Sequence, residues 1–130
     1  MTKVRSDISR PVIGATSGWT VPDPTEGQTE ASIGKFLRTV TVGDDVAIRE
    51  THRGLLRFIL TKVASIKKGR LYTEQSGYAG DSWYIRTGRS CWYPKGQSHL
   101  VEPTSGVRDF IKQHEYGSHY TRRSELYGTD

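Results

Sequence analysis

The chain is poor in the residues that most often announce a function. It holds one cysteine, Cys91, in 130 residues, which excludes an internal disulfide and a cysteine-rich zinc site. No stretch approaches ~18 consecutive apolar residues, so no membrane-spanning helix is expected. Met1-Thr2-Lys3-Val4-Arg5-Ser6-Asp7 lacks an apolar segment and does not read as a signal peptide. With so little cysteine, the expected compartment is a reducing cytoplasm. Leu, Ile, Val and Phe make up about a fifth of the chain and the mean hydropathy is −0.61. The expectation is one domain with a small core and loose ends.

Catalytic signatures are equally scarce. There is no phosphate loop, no Gly-x-Ser-x-Gly, no dinucleotide fingerprint and no His-x-x-x-His. His52, His99, His114 and His119 lie far apart or straddle a helix end, so no metal site is expected. Cys91 has Arg86 and Arg89 nearby to lower its pKa but no histidine close in sequence, so it reads as an inert thiol. The adjacent Asp44 and Asp45 would point to opposite faces of a strand and read as turn formers, not as a carboxylate dyad. A role that needs neither catalysis nor a cofactor is the expectation. An enzyme, such as a small nuclease using Arg, His and Tyr, is the third reading.

What the chain does have is positive charge, unevenly placed. Its net charge of +5 comes from 19 Lys+Arg against 14 Asp+Glu. Residues 1–35 and 104–130 are each balanced, four basic against four acidic, so the whole excess falls in 36–103. Within 49–95 there are ten basic groups and three acidic ones. Charge focused on the folded part implies a field at a surface, and polyanions are the usual partner for such a field; it also serves solubility.

Residues 1–35 read as a flexible N-terminal arm, punctuated by glycine and by the turn-rich Val21-Pro22-Asp23-Pro24-Thr25-Glu26-Gly27. From Phe36 to 103 the pattern is one of short strands. Leu37, Val40, Val42, Val46 and Ile48 recur among polar residues. Leu55–Val63 is a β-branched and aromatic run, Lys67-Lys68-Gly69 marks a turn before Arg70–Glu74, and His99–Glu102 is a last strand stopped by Pro103. Thr104 or Ser105 can cap a helix over 104–117, with Val107, Phe110, Ile111 and His114 on one face and Gly117 beyond its end. Residues 118–130 form a polar tail. Five or six short strands and one helix make a mostly β protein, a small SH3-like barrel with a C-terminal helix.

Val42-Gly43-Asp44-Asp45-Val46-Ala47-Ile48, Arg53-Gly54 and Ile59-Leu60-Thr61-Lys62-Val63 carry a partial resemblance. Over about residues 42–74 the chain resembles the opening of KOW-type and related SH3-like barrels, where a strand after Gly-Asp leads through a basic-Gly turn to a second strand. That resemblance implies binding to RNA or to proteins of the transcription and translation machinery. The chain departs from the pattern at Phe58, where the family usually places glycine early in the second strand. The layout of arm, basic barrel and tail is also similar in style to small phage or mobile-element accessory proteins.

The functional expectation centres on Trp83–Tyr93, because six of the 13 aromatic residues lie in 72–93. Taken as a hairpin with a two-residue Thr87-Gly88 loop, it sets Arg86 opposite Arg89 and Trp83 opposite Trp92. Alternation then puts Trp83, Ile85, Ser90 and Trp92 in the core and Tyr84, Arg86, Arg89, Cys91 and Tyr93 on the outer face. Guanidinium groups suit phosphate, and tyrosine rings suit unpaired bases. The expected nucleic-acid-binding set is Arg53, Arg57, Lys67, Lys68, Arg70, Tyr84, Arg86, Arg89, Tyr93 and Lys95. The same side chains suit a protein interface, so the alternative is an interaction module or inhibitor docking a larger protein or nucleoprotein complex. A longer loop would shift the register and swap the faces, freeing the arginines to salt-bridge with Asp81 or Glu74. An exposed strand edge leaves pairing with a second copy open.

Overall fold

The computed structural model describes residues 23–52 and 55–114. Within them a helix α1 (Glu30–Leu37) precedes strands β1 (Asp45–His52), β2 (Leu55–Lys67), β3 (Arg70–Gly77), β4 (Gly80–Tyr84) and β5 (His99–Val101), and a second helix α2 (Ser105–Gln113) follows. The sheet is antiparallel throughout, in the order β4-β3-β2-β1-β5, and is curled into a half-barrel. The mostly β architecture with a C-terminal helix agrees with the sequence reading. No described helix is long and apolar enough to cross a membrane.

A short segment draws the two sheet edges together. Ser90 bridges to Trp83 of β4, and Arg89 bridges to His99 of β5. The Tyr84 amide donates to the Arg89 carbonyl at 2.8 Å, the Cys91 amide to the Ser82 carbonyl at 2.8 Å, and the Leu100 amide to the Gly88 carbonyl at 2.8 Å. The edge strands β4 and β5 therefore share one partner, and backbone groups left open at a sheet edge are satisfied there.

Register divides the side chains into two faces. Val46, Ile48, Val63, Leu71, Trp83 and Leu100 line the inside, all of them fully buried. The Trp83 indole N–H is satisfied by the Thr73 hydroxyl at 3.2 Å. On the other face, Ala47 of β1, Phe58 of β2 and Val101 of β5 are also buried, and Phe110 of α2 meets Phe58 edge-on at 5.2 Å. Because β1 lies between two neighbours and is covered on both sides, its run from Val46 to Glu50 is buried without a break.

α2 forms where its pattern placed it. The Thr104 hydroxyl accepts from the Val107 amide, and Val107, Phe110 and His114 are buried. Gly117 and the tail 118–130 lie outside the described residues. Two expectations need correction. The arm expected over 1–35 is docked from Asp23 onward, and α1 occupies residues expected to be arm and first strand. Thr29 and Ser32 cap α1 reciprocally, and Ile33 and Leu37, four residues apart, enter the core. Gly34 suggests a loop, yet it sits in mid-helix because a Cβ there would fall 2.1 Å from the Arg86 carbonyl oxygen. The helix packs its backbone against that turn.

Candidate nucleic-acid interface

The Trp83–Tyr93 segment is not the expected two-residue hairpin. Trp83 pairs with Ser90, not Trp92, and Ile85–Gly88 forms the connection, closed by the Gly88 amide on the Tyr84 carbonyl at 2.7 Å. The pairing is offset by two residues. A two-residue offset preserves the faces, so Trp83 and Ser90 still point inward. Trp92 does not. The pairing stops at Cys91, where the Trp92 and Tyr93 amides both donate to the Ser90 hydroxyl, at 3.0 and 3.1 Å. That hydroxyl in turn donates to the Ala79 carbonyl at 2.8 Å. The hydroxyl turn rotates Trp92 out to 68% exposure, against 0% for Trp83. Arg86 does not face Arg89.

The structure separates the expected basic residues into two groups. Arg57 donates two hydrogen bonds to the fully buried Glu50 carboxylate and lies 4.6 Å from the Tyr78 ring centre. Glu50 also accepts from the Tyr78 amide at 2.8 Å, tying the β3–β4 turn to β1. Arg89 donates to Glu30 of α1 at 2.6 Å and to the Pro94 carbonyl at 2.8 Å. The acid that engages Arg89 is therefore neither Asp81 nor Glu74. Arg53 lies outside the described residues.

Lys67, Lys68, Arg70, Tyr84 and Arg86 come together at one end of the barrel. Lys67 pairs with Arg70 across a two-residue turn, Arg70 pairs with Tyr84, and the Ile85 amide donates to the Gly69 carbonyl at 3.0 Å. The Arg70 guanidinium sits 5.8 Å from the Tyr84 ring centre. All four cations are exposed, and among the described residues none is in an ion pair with a carboxylate. Tyr93 and Lys95 are exposed on the loop after Cys91.

The turn between Lys67 and Arg70 has positive φ at both centre positions, 44° at Lys68 and 80° at Gly69. This is the hairpin turn that normally takes Asn-Gly. A lysine in the left-handed region is strained by roughly 1–2 kcal/mol.

Register also puts aromatic rings beside these cations. Lys67, Arg70, Tyr72, Ser82 and Tyr84 share the outer face of β2–β4, opposite the buried Leu71 and Trp83. Trp92 lies over the far end of that face. A Cβ on Gly80 would come within 2.6 Å of the indole Cδ1, and Gly80 has a φ of +92°. Sequence reasoning missed Trp92 as a surface group. Ser90 two residues before it, a residue that turns the backbone through its hydroxyl, was the available signal.

A second charged cluster lies under α1. His99 is buried, with Nδ1 3.2 Å from the Gln97 carbonyl, a contact only an N–H can satisfy. Its Nε2 has no hydrogen bond and faces the Glu30 carboxylate at 3.6 Å. Burial holds its pKa below the usual histidine value, and Arg89 adds to that shift. Of the paired aspartates, Asp44 is a turn residue as expected, whereas Asp45 is the first residue of β1. Asp44 accepts from the Thr41 amide at 2.9 Å, while Asp45 binds Lys62 and Arg108. No cluster of metal-ligating side chains occurs among the described residues.

Compared with protein-family models, with curated proteins and with solved structures, the chain matches none, so the reading of the site rests on its own geometry.

Proposed function

We propose that this chain is a non-enzymatic nucleic-acid-binding small barrel, whose basic end holds the phosphate backbone. The observation that carries the reading is the cluster of Lys67, Lys68, Arg70 and Arg86 around Tyr84, exposed and without a carboxylate partner among the described residues. Like charges side by side repel, and such a cluster is stabilised when an external anion lies between its members. The strained Lys68 supports it too, since the turn would fold more easily with asparagine there. The resemblance of residues 42–74 to KOW-type barrels points in the same direction.

Counterion release gives the test. Binding of a labelled RNA or DNA strand should weaken linearly on a log–log plot of affinity against salt, with a slope of about −0.7 to −0.9 per phosphate contact. Replacing Lys67, Lys68, Arg70 and Arg86 together with alanine should flatten that slope by about 3. Affinity indifferent to salt, or unchanged in the quadruple variant, would remove the proposal. Capture of a protein partner that depends on these residues, with no binding to nucleic acid, would establish the interaction-module alternative instead.

A further inference from the structure

We infer that the ligand of this surface is an unpaired strand whose bases stack on Trp92 and on the Tyr72–Tyr84 row. The inference rests on the nucleic-acid reading above and goes further, because a basic end alone would hold single and double strands alike.

Three observations carry it. First, Trp92 is the most exposed large apolar side chain described, at 68%, yet it is not loose. Its amide and that of Tyr93 are fixed by the Ser90 hydroxyl, and one edge of its indole rests on Gly80. Ring exposure combined with backbone fixation makes a platform already ordered before contact, which keeps the entropy lost on binding small.

Second, the rings are aligned with the cations. Gly80 and Tyr84 are the two ends of β4, about 13 Å apart at ~3.3 Å per residue. Trp92 overlies one end, and Arg70 with Tyr84 marks the other. Tyr72 pairs with Ser82 between them on the same outer face. A strand lying along β4 with phosphates at the basic end therefore brings successive bases over Tyr84, Tyr72 and Trp92.

Third, what this face sets beside its cations is aromatic rings, Tyr72 and Tyr84 in register and Trp92 over Gly80. In a duplex the π-faces of the bases are covered by their neighbours, so a row of aromatic rings gains stacking energy only from unpaired bases.

The test uses the full chain with an oligothymidylate and an oligouridylate, an abasic strand of equal length and a duplex of equal length. The base-bearing single strands should bind more tightly than the abasic strand and the duplex, and should quench tryptophan emission. Trp92→Ala should weaken them roughly 5- to 100-fold while leaving the abasic strand unaffected. Trp92→Phe, which keeps a ring over Gly80, should restore most of the affinity and lose the quenching from that position. The unfolding midpoint of both variants should match the parent, because the indole is mostly in solvent. Equal binding of all the strands, or no loss in Trp92→Ala, would overturn stacking while leaving the basic-end reading standing. Absence of binding to every probe at low salt would overturn that reading and this inference with it. A Trp92-dependent protein partner in that same absence would reassign the platform to a protein interface.

Discussion

Arg49 and Arg70 are the same residue type on two strands, β1 and β3, that flank β2 in a single sheet, and they do opposite things. Arg49 points to the helix-covered face, is 2% exposed, and donates to the Asp23 carboxylate at 2.7 and 3.1 Å. Arg70 is exposed, its guanidinium 5.8 Å from the Tyr84 ring centre, and it is in no ion pair among the described residues. The difference shows why summed charge overstates a binding surface. Of the ten basic groups in 49–95, Arg49, Arg57, Lys62 and Arg89 are each held by a carboxylate, and Arg53 lies outside the described residues. Lys67, Lys68, Arg70, Arg86 and Lys95 remain. Two of the acids that neutralise the barrel arginines, Asp23 and Glu30, come from the segment whose charge looked balanced in sequence. Its carboxylates are docked on the barrel.

Breaking the inward pair should have the largest effect on folding. Asp23 and Arg49 are both buried, and burial pulls the Arg49 pKa down against the opposing pull of Asp23. Asp23→Ala leaves a guanidinium uncompensated and should lower unfolding free energy by about 3–5 kcal/mol, read by urea titration. Removing both charges, with Asp23→Ala and Arg49→Met together, should recover a good part of that loss. A single-variant loss under ~1 kcal/mol would mean that water reaches the pair. The quadruple alanine variant at the basic end should invert this pattern, with stability within about 0.5 kcal/mol of the parent and affinity lost.

The intermediate case is Arg89, whose partner Glu30 also faces His99. The folded-state pKa of His99 is lowered, so the unfolded chain binds the extra proton first. Stability is then fully present above the unfolded value near 6.5 and falls as pH drops through the folded value. Urea midpoints measured downward from neutral pH should show this decline, and His99→Gln should flatten it. The groups that set the slope are Glu30 from α1, Arg89 from the bridging segment and the Gln97 carbonyl. A parent profile as flat as that of the variant would mean that Glu30 accommodates the imidazolium without loss.

How much of this was legible follows from which signals are local. The β2 run, the Lys68-Gly69 turn, the β5 stop at Pro103 and the Val107–Phe110 face of α2 all depend on alternation, turn chemistry or helical spacing within a few residues, and each appears where those signals put it. The inward Trp83 and outward Tyr84 survived an incorrect loop length because an offset of two keeps the parity of a strand. Trp92 did not, since parity means nothing once the Ser90 hydroxyl ends the strand. α1 was hidden by Gly34, whose reason is a contact with Arg86, 52 residues further along. Ion pairing was equally illegible. The partners Asp23 and Arg49 are 26 residues apart, and Glu30 and Arg89 are 59 apart, so only the assembled fold tells an engaged arginine from an available one.

The finest test of the contrast lies in one turn residue. Lys68 occupies a left-handed backbone position beside Gly69, where asparagine is the preferred partner for glycine. Lys68→Asn should therefore raise stability by roughly 0.5–1 kcal/mol, because asparagine tolerates that conformation at less strain. If the lysine contributes to phosphate contact, the same substitution should flatten the salt slope of nucleic-acid binding by about 0.7 to 0.9. The two readouts oppose each other, stability up and electrostatic affinity down, which is the trade expected of a strained residue kept for its charge. A gain in stability with an unchanged slope would place Lys68 outside the phosphate path and leave Lys67, Arg70 and Arg86 to carry it. No gain in stability would show that the turn holds lysine without strain, and the backbone argument for the basic end would then fall while the charge argument stayed.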